Sequence, residues 1–93
     1  MLVVIANHIP PAVRGRMKLW FVEVRPNVFV SGVKDSTANS VVDYLFEFCP
    51  ANSGLTVFQQ TALAPGYKIR TMGDPQKKLV YLSGLPLIEE KQL

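Results

Sequence analysis

For nucleophilic catalysis by a Ser–His or Cys–His pair the chain offers one histidine, His8, and one cysteine, Cys49. A Ser–His or Cys–His pair needs its base oriented by a third group, so this inventory gives such catalysis little support. It also starves a zinc-type site of nitrogen and sulfur ligands. A magnesium site needs carboxylates, and the chain has seven: Glu23, Asp35, Asp43, Glu47, Asp74, Glu89 and Glu90. Asp43 and Glu47 stand one helical turn apart but opposite an apolar stripe, which reads as a solvated face rather than a metal pair. Glu89 and Glu90 fall in a tail, and no glycine-rich phosphate loop is present. Cys49 lies near the end of an apolar helical stretch and reads as a buried, inert thiol. A lone cysteine suits a reducing cytoplasm.

The basic residues form two groups. Arg14 and Arg16 fall within the first turn or so of a predicted helix, with Lys18 just beyond. Cations there oppose the helix macrodipole, at a cost of roughly a few tenths of a kcal/mol each. Free amide N–H groups at the same end attract anions. Arginine forks beside those amides make a phosphate site; the alternative is a solvated pair flanking Gly15. The second group is Lys77-Lys78, with Lys68 and Arg70 on one face of the preceding strand and Tyr67, Ile69 and Thr71 on the other. It reads either as a second phosphate contact or as a sheet edge studded with charge against aggregation. Doubled by a dimer axis, two such groups would follow a duplex backbone. The net charge of +3 favours a polyanionic partner only weakly. No aromatic-rich strand motif of the RNA-recognition type appears, which argues against base stacking as the main mode.

These groups need elements to position them, and the hydrophobic pattern supplies a set. Leu2 to Ala6 is an apolar run without alternation, as in a central strand. Pro10-Pro11 marks a break, Pro11 suiting the first turn of a helix whose apolar stripe is Val13, Met17, Trp20 and Phe21. The run Trp20 to Val24 turns from helix into strand, Arg25-Pro26-Asn27 is a tight turn, and Val28 to Val33 returns. Asp35 or Ser36 caps a second helix with Ala38, Val41, Val42, Leu45, Phe48 and Cys49 on its apolar face, and Pro50 stops it. Leu55 to Leu63 and Tyr67 to Met72 are strands joined at Ala64-Pro65-Gly66. Asp74 to Lys78 reads as polar loop. Leu79 to Leu82 and Leu85 to Ile88 add short strands, with Pro86 confining the second to an edge.

The expected fold is therefore α+β, a single domain over residues 1–93 with β-α-β-β-α-β order and extra C-terminal strands, the split arrangement of ferredoxin-like domains. Such a fold says nothing of function by itself. At 93 residues and 48% apolar, the chain has more hydrophobic surface than a small core absorbs, which points to a homodimer. The opening run from Met1 to Ala6 is too short for a membrane span and lacks a basic flank, so a cytoplasmic protein without a membrane partner is expected.

The segment MLVVIANHIPPAVRGRMKLWFVEVRPNVFVSGV resembles the small CRISPR-adaptation protein of subtype I-E, the second protein of the Cas series. The resemblance rests on Pro10-Pro11, Arg14-Gly15-Arg16, Leu19-Trp20, Glu23-Val24-Arg25 and Val28-Phe29-Val30. It continues more loosely through Thr71, Gly73, Lys77, Leu82 and Gly84-Leu85, with helix two matching only in pattern. It implies a homodimer that bridges dimers of the CRISPR integrase subunit and holds double-stranded pre-spacer DNA by its phosphates during spacer acquisition, a step of antiviral defence. By the same resemblance Arg14, Arg16 and Lys77, with Lys78 as neighbour, are the phosphate contacts. The C-terminal strands, with Leu79, Val80, Tyr81, Leu82, Leu85, Leu87 and Ile88, are the integrase-subunit interface. Two departures thin the basic set: Ala12 where the family often has arginine, and Gln76 in place of one loop basic residue. A third concerns catalysis. Many relatives are described as metal-dependent endonucleases, using an acid at the end of strand one. Here that position is Asn7, followed by His8. Asparagine carries no charge to hold magnesium, so no cofactor and no catalytic residue are expected; the alternative is a magnesium-dependent endoribonuclease or deoxyribonuclease in which Asn7 and His8 take part.

Overall fold

A computed structural model of the chain describes residues 1–73, 77–82 and 85–90, with side chains for residues 1–73 and for Ile88. The elements run β1 (Leu2–Ile5), α1 (Pro11–Met17), β2 (Val22–Arg25), β3 (Val28–Ser31), α2 (Asp35–Phe48), a 3₁₀ turn (Ala51–Ser53), β4 (Leu55–Gln60), β5 (Tyr67–Met72), β6 (Lys77–Leu82) and β7 (Leu85–Glu90). The first five strands form one sheet in the order β2-β3-β1-β4-β5, and every neighbouring pair is antiparallel. The last two form a separate antiparallel pair. The architecture is mixed α+β, as expected.

Strand alternation splits the sheet into two unlike faces. Leu2, Val4, Phe29, Leu55 and Val57 are buried, in one cluster with Val13 and Met17 of α1 and Ala38, Val41, Val42 and Leu45 of α2. Both helices therefore cover this face, and Gln59 on it donates to Asn39 Oδ1 of α2 at 2.9 Å. Each fully buried Leu or Met here contributes about 1.5–3 kcal/mol relative to exposure. The opposite face carries Val3, Ile5, Val28, Val30 and Phe58, which the register lines up as Val30–Val3–Phe58 and Val28–Ile5 across β3, β1 and β4. No described helix covers it, and Ile5 is 42% exposed. An apolar groove of about 370 Å³ runs across one end of it beside Met1, Val3, Phe58 and Tyr67.

Several boundaries differ from the sequence reading. The first helix ends at Met17, so Trp20 lies in the turn that follows and only Val22–Arg25 is strand. In seven residues there is no room for a long N-terminal turn, and Arg14 and Arg16 sit in the last turn rather than the first. The sign of their interaction with the helix dipole is thereby reversed: cations at the C-terminal end are favoured. A phosphate held by these arginines therefore lies at the end of the helix opposite to its free N-terminal amides. Neither Asp35 nor Ser36 caps α2; Lys34 holds that position with no side-chain hydrogen bond, and Asp35 stands in the first turn, where its charge suits the dipole. Phe48 departs from the apolar face and is 55% exposed. At the other end, β3 stops at Ser31 and β4 at Gln60. Lys77 and Lys78 open β6 instead of closing a loop, because β6 begins two residues before the apolar run.

Two glycines are required where they stand. Gly54 has φ +63° at the end of the 3₁₀ turn, and a Cβ there would come 2.5 Å from Asn7 Nδ2. Gly73 has φ +77°, and its Cβ would overlap the Ala51 carbonyl. These close approaches tie the ends of β1 and β5 to the same turn.

Candidate nucleic-acid interface

Residues two apart on a helix point to different sides, and α1 uses this to separate its two arginines. Arg14 turns toward the sheet. Its Nη1 donates to Glu23 Oε2 at 2.7 Å, its Nη2 to Asn27 Oδ1, and the guanidinium lies 5.4 Å from the Phe29 ring centroid. Asn27 is the hub of this cluster. It follows Pro26 in the β2–β3 turn with φ +61°, a position asparagine tolerates better than most residues. Its backbone N–H donates to Glu23 Oε2 at 2.8 Å and its Nδ2 to the Asn7 carbonyl at 3.1 Å, while its own carbonyl accepts from Ala6 N–H at 3.0 Å. The turn, the end of β1 and α1 are thus held together by polar contacts. The Arg14 side chain, and next the Asn27 N–H, hold the Glu23 carboxyl below its ordinary value of 4.5, with slight desolvation opposing. Beside this cluster lies a small cleft of about 160 Å³ lined by Arg14, Met17, Lys18, Phe21, Glu23 and Phe29.

Arg16 turns the other way, toward α2. Its guanidinium carbon lies 5.8 Å from the Trp20 ring and 5.5 Å from the Tyr44 ring. The two rings meet edge to face at 5.8 Å, and Tyr44 in turn packs on Phe48 at 4.8 Å. Arg16 is exposed and makes no ion pair among the described residues.

In the second basic group, Arg70 lies 4.3 Å over the Phe46 ring and pairs with Asp43 at 3.2 Å. Asp43 is accordingly an ion-pair partner on the surface of α2, apart from Glu47. Lys68 is exposed on the same side of β5 as Arg70. Lys77 and Lys78 are paired by backbone register with Glu90 and Glu89. The predicted interface residues pair within this hairpin as Leu79–Ile88, Val80–Leu87 and Leu82–Leu85, with Tyr81 opposite Pro86. Apart from half-buried Ile88, the side chains of Lys77, Lys78 and the C-terminal interface residues lie outside those described. Gln76 and Gly84 also fall outside the described residues.

At the end of β1, Asn7 and His8 are exposed, and both backbone N–H groups donate to the Ser53 carbonyl, at 2.9 and 3.3 Å. The neutral Asn7 amide lies against Gly54. Among the described residues no three His, Cys, Asp or Glu side chains gather in a metal-binding group. This donor set does not fit a magnesium ion, whose sites are built on carboxylates. Cys49 is buried, and burial pushes its thiol pKa up.

Four contributors were not singled out as site residues from sequence: Glu23 as partner to Arg14, Asn27, Trp20 and Tyr44. A readable signal existed for one of them, the i,i+4 spacing of Arg16 and Trp20. The contacts of Asn27 with residues 7 and 14 and of Arg16 with Tyr44 are long in sequence and left no local trace.

Fold and site together define a small α+β domain in which three arginines lie over aromatic rings. Residues 1–87 match the family described as CRISPR-associated protein (Cas_Cas2CT1978), and the chain belongs to this Cas2-type CRISPR-associated family. Among the described residues no helix is long and apolar enough to cross a membrane.

Proposed function

We propose that the chain is the non-catalytic subunit of a spacer-acquisition complex of subtype I-E: a cytoplasmic homodimer that bridges dimers of the CRISPR integrase subunit and holds pre-spacer duplex DNA by its phosphates. The observation that carries this reading is Arg16, an exposed guanidinium without a carboxylate partner among the described residues, in a chain of that family. Arg14 is a second contact, one that shares its guanidinium with Glu23. Lys77 and Lys78 extend the basic set, and the β6–β7 hairpin is the integrase-subunit surface. The strand order β2-β3-β1-β4 with its two helices on one face supports reading the domain as ferredoxin-like. The apolar face that no described helix covers, with Ile5 exposed on it, supports the homodimer, since a second copy is the simplest cover for it.

The test is duplex capture by the complex with the integrase subunit, measured as affinity against salt. Binding ignores duplex sequence and weakens steeply with salt. An Arg14→Ala, Arg16→Ala double variant loses affinity, and its log–log slope falls by roughly 0.9 per phosphate released. A folded double variant with unchanged affinity and slope would overturn the reading. The same preparations, incubated with labelled DNA and RNA with and without magnesium or manganese, address the endonuclease alternative. Metal-dependent cleavage that survives repurification and is lost on Asn7→Ala or His8→Ala would replace our reading with it.

A further inference from the structure

Three arginines in this small domain lie over aromatic rings, and they differ in what their N–H edges meet. Arg14 over Phe29 is engaged by Glu23 and Asn27, and Arg70 over Phe46 by Asp43. Arg16 has two rings, Trp20 and Tyr44, and no acid among the described residues. A guanidinium is planar and stacks through its face, while its donors lie in its plane. Contact with the two rings, at 5.8 and 5.5 Å from the guanidinium carbon to the ring centroids, therefore holds the group without consuming the N–H donors that bind a phosphate. Trp20 and Tyr44 are half-buried and packed against the core, and they touch each other edge to face, so the shelf is itself held.

We propose that Trp20 and Tyr44 are positioning residues for Arg16, and that this triad is the leading phosphate contact of α1, ahead of Arg14. The inference rests on the phosphate-holding reading above. Arg16 arrives at the duplex with much of its rotamer freedom already lost to the rings, so less is lost on binding. Arg14 must give up or share Glu23 when a phosphate approaches. An unequal pair follows: removing Arg16 weakens capture more than removing Arg14.

The experiment is a double-mutant cycle on duplex capture by the complex with the integrase subunit, each variant first checked for native circular dichroism. Tyr44→Leu removes one ring and keeps the charge, so affinity falls about three- to tenfold while the salt slope stays at the wild-type value. Tyr44→Phe restores the ring and returns affinity to within about twofold. Arg16→Lys keeps the charge and loses the stacked plane; it weakens capture by a similar factor, and adding Tyr44→Leu to it costs little more. Should Tyr44→Leu fail the folding check, Arg16→Lys alone against Arg16→Ala gives the answer, because a shelf that matters makes lysine a poor substitute. If Arg16→Ala weakens capture while Arg16→Lys and Tyr44→Leu leave it unchanged, the positioning role is overturned and the phosphate reading survives. If Arg16→Ala changes neither affinity nor slope, the phosphate reading itself has failed.

Discussion

Asn27 joins three segments through one side chain and a positive φ, and its removal separates two physical effects. Replacement by alanine leaves the backbone in the left-handed region with a Cβ that asparagine's local hydrogen bonding no longer compensates, at about 1–2 kcal/mol. It also deletes the side-chain contacts with the Asn7 carbonyl and with Arg14. A typical hydrogen bond contributes about 0.5–1.5 kcal/mol, and these are half-exposed, so the low end applies to each. Asn27→Ala should therefore cost about 2–3 kcal/mol. Asn27→Gly removes the same side chain but accepts the positive φ, giving back part of the backbone term against the entropy glycine adds to the unfolded chain. It should be the milder change, costing about 1–2 kcal/mol. For a domain of this size each kcal/mol moves the midpoint by about 4–8 °C, so alanine lowers Tm by roughly 10–20 °C. The assay is thermal unfolding by circular dichroism at equal protein concentration, which matters for any self-associating chain. An alanine variant as stable as the parent, or a glycine variant less stable than alanine, would refute the reasoning.

Two further outcomes follow from the same cluster and from the sheet behind it. Because Glu23 titrates below its ordinary value when folded, its contribution is present above the unfolded pKa and disappears as pH falls through the folded one. The Tm gap between the parent and Glu23→Gln should thus be full near pH 7 and close in the acid range below 4.5; a gap that widens on acidification contradicts the Arg14–Glu23 pairing. On the sheet face that no described helix covers, Val30→Glu puts a carboxylate at one end of the Val30–Val3–Phe58 row and should leave a folded single chain by sedimentation at micromolar concentration. A parent that is already monomeric there removes the case for the homodimer.

Much of the fold was legible because its signals are local. The apolar run of β1, the stripe of α2 and the β4–β5 hairpin each announce themselves within a few residues, and their strands and helices stand where the pattern puts them. The end of α1 was not legible. Trp20 and Phe21 continue the helical spacing, and no proline or glycine directly follows Met17 to stop it; where the chain leaves the helix, Phe21 packs edge to face on Phe29 of the sheet, a contact distant in sequence. That one boundary decided the electrostatic reading of Arg14 and Arg16, which moved from the start of a helix to its end. Apart from Trp20, four positions from Arg16, the partners of these arginines are set by tertiary contact between residues 9 to 28 positions apart, and composition carries no record of them. Lys77 illustrates a different limit. A polar stretch before an apolar run reads as loop, yet backbone pairing with Glu90 extends the strand outward.

Helix α1 is only two turns long, below the length at which a free helix persists in water. Its Arg16 shelf is completed by Tyr44 from α2, so the cationic surface exists only while both helices are docked on the sheet. A ligand that binds the folded state alone raises stability by RT ln(1 + [L]/Kd), about 2.7 kcal/mol at a hundredfold excess over Kd. Duplex DNA captured at this surface would then act as a folding ligand as well as a cargo. Loaded protein would resist proteases that attack the transiently opened chain, while idle protein would be cleared faster. Under the proposed function, the lifetime of the protein would follow the supply of duplex DNA, through the shortness of one helix.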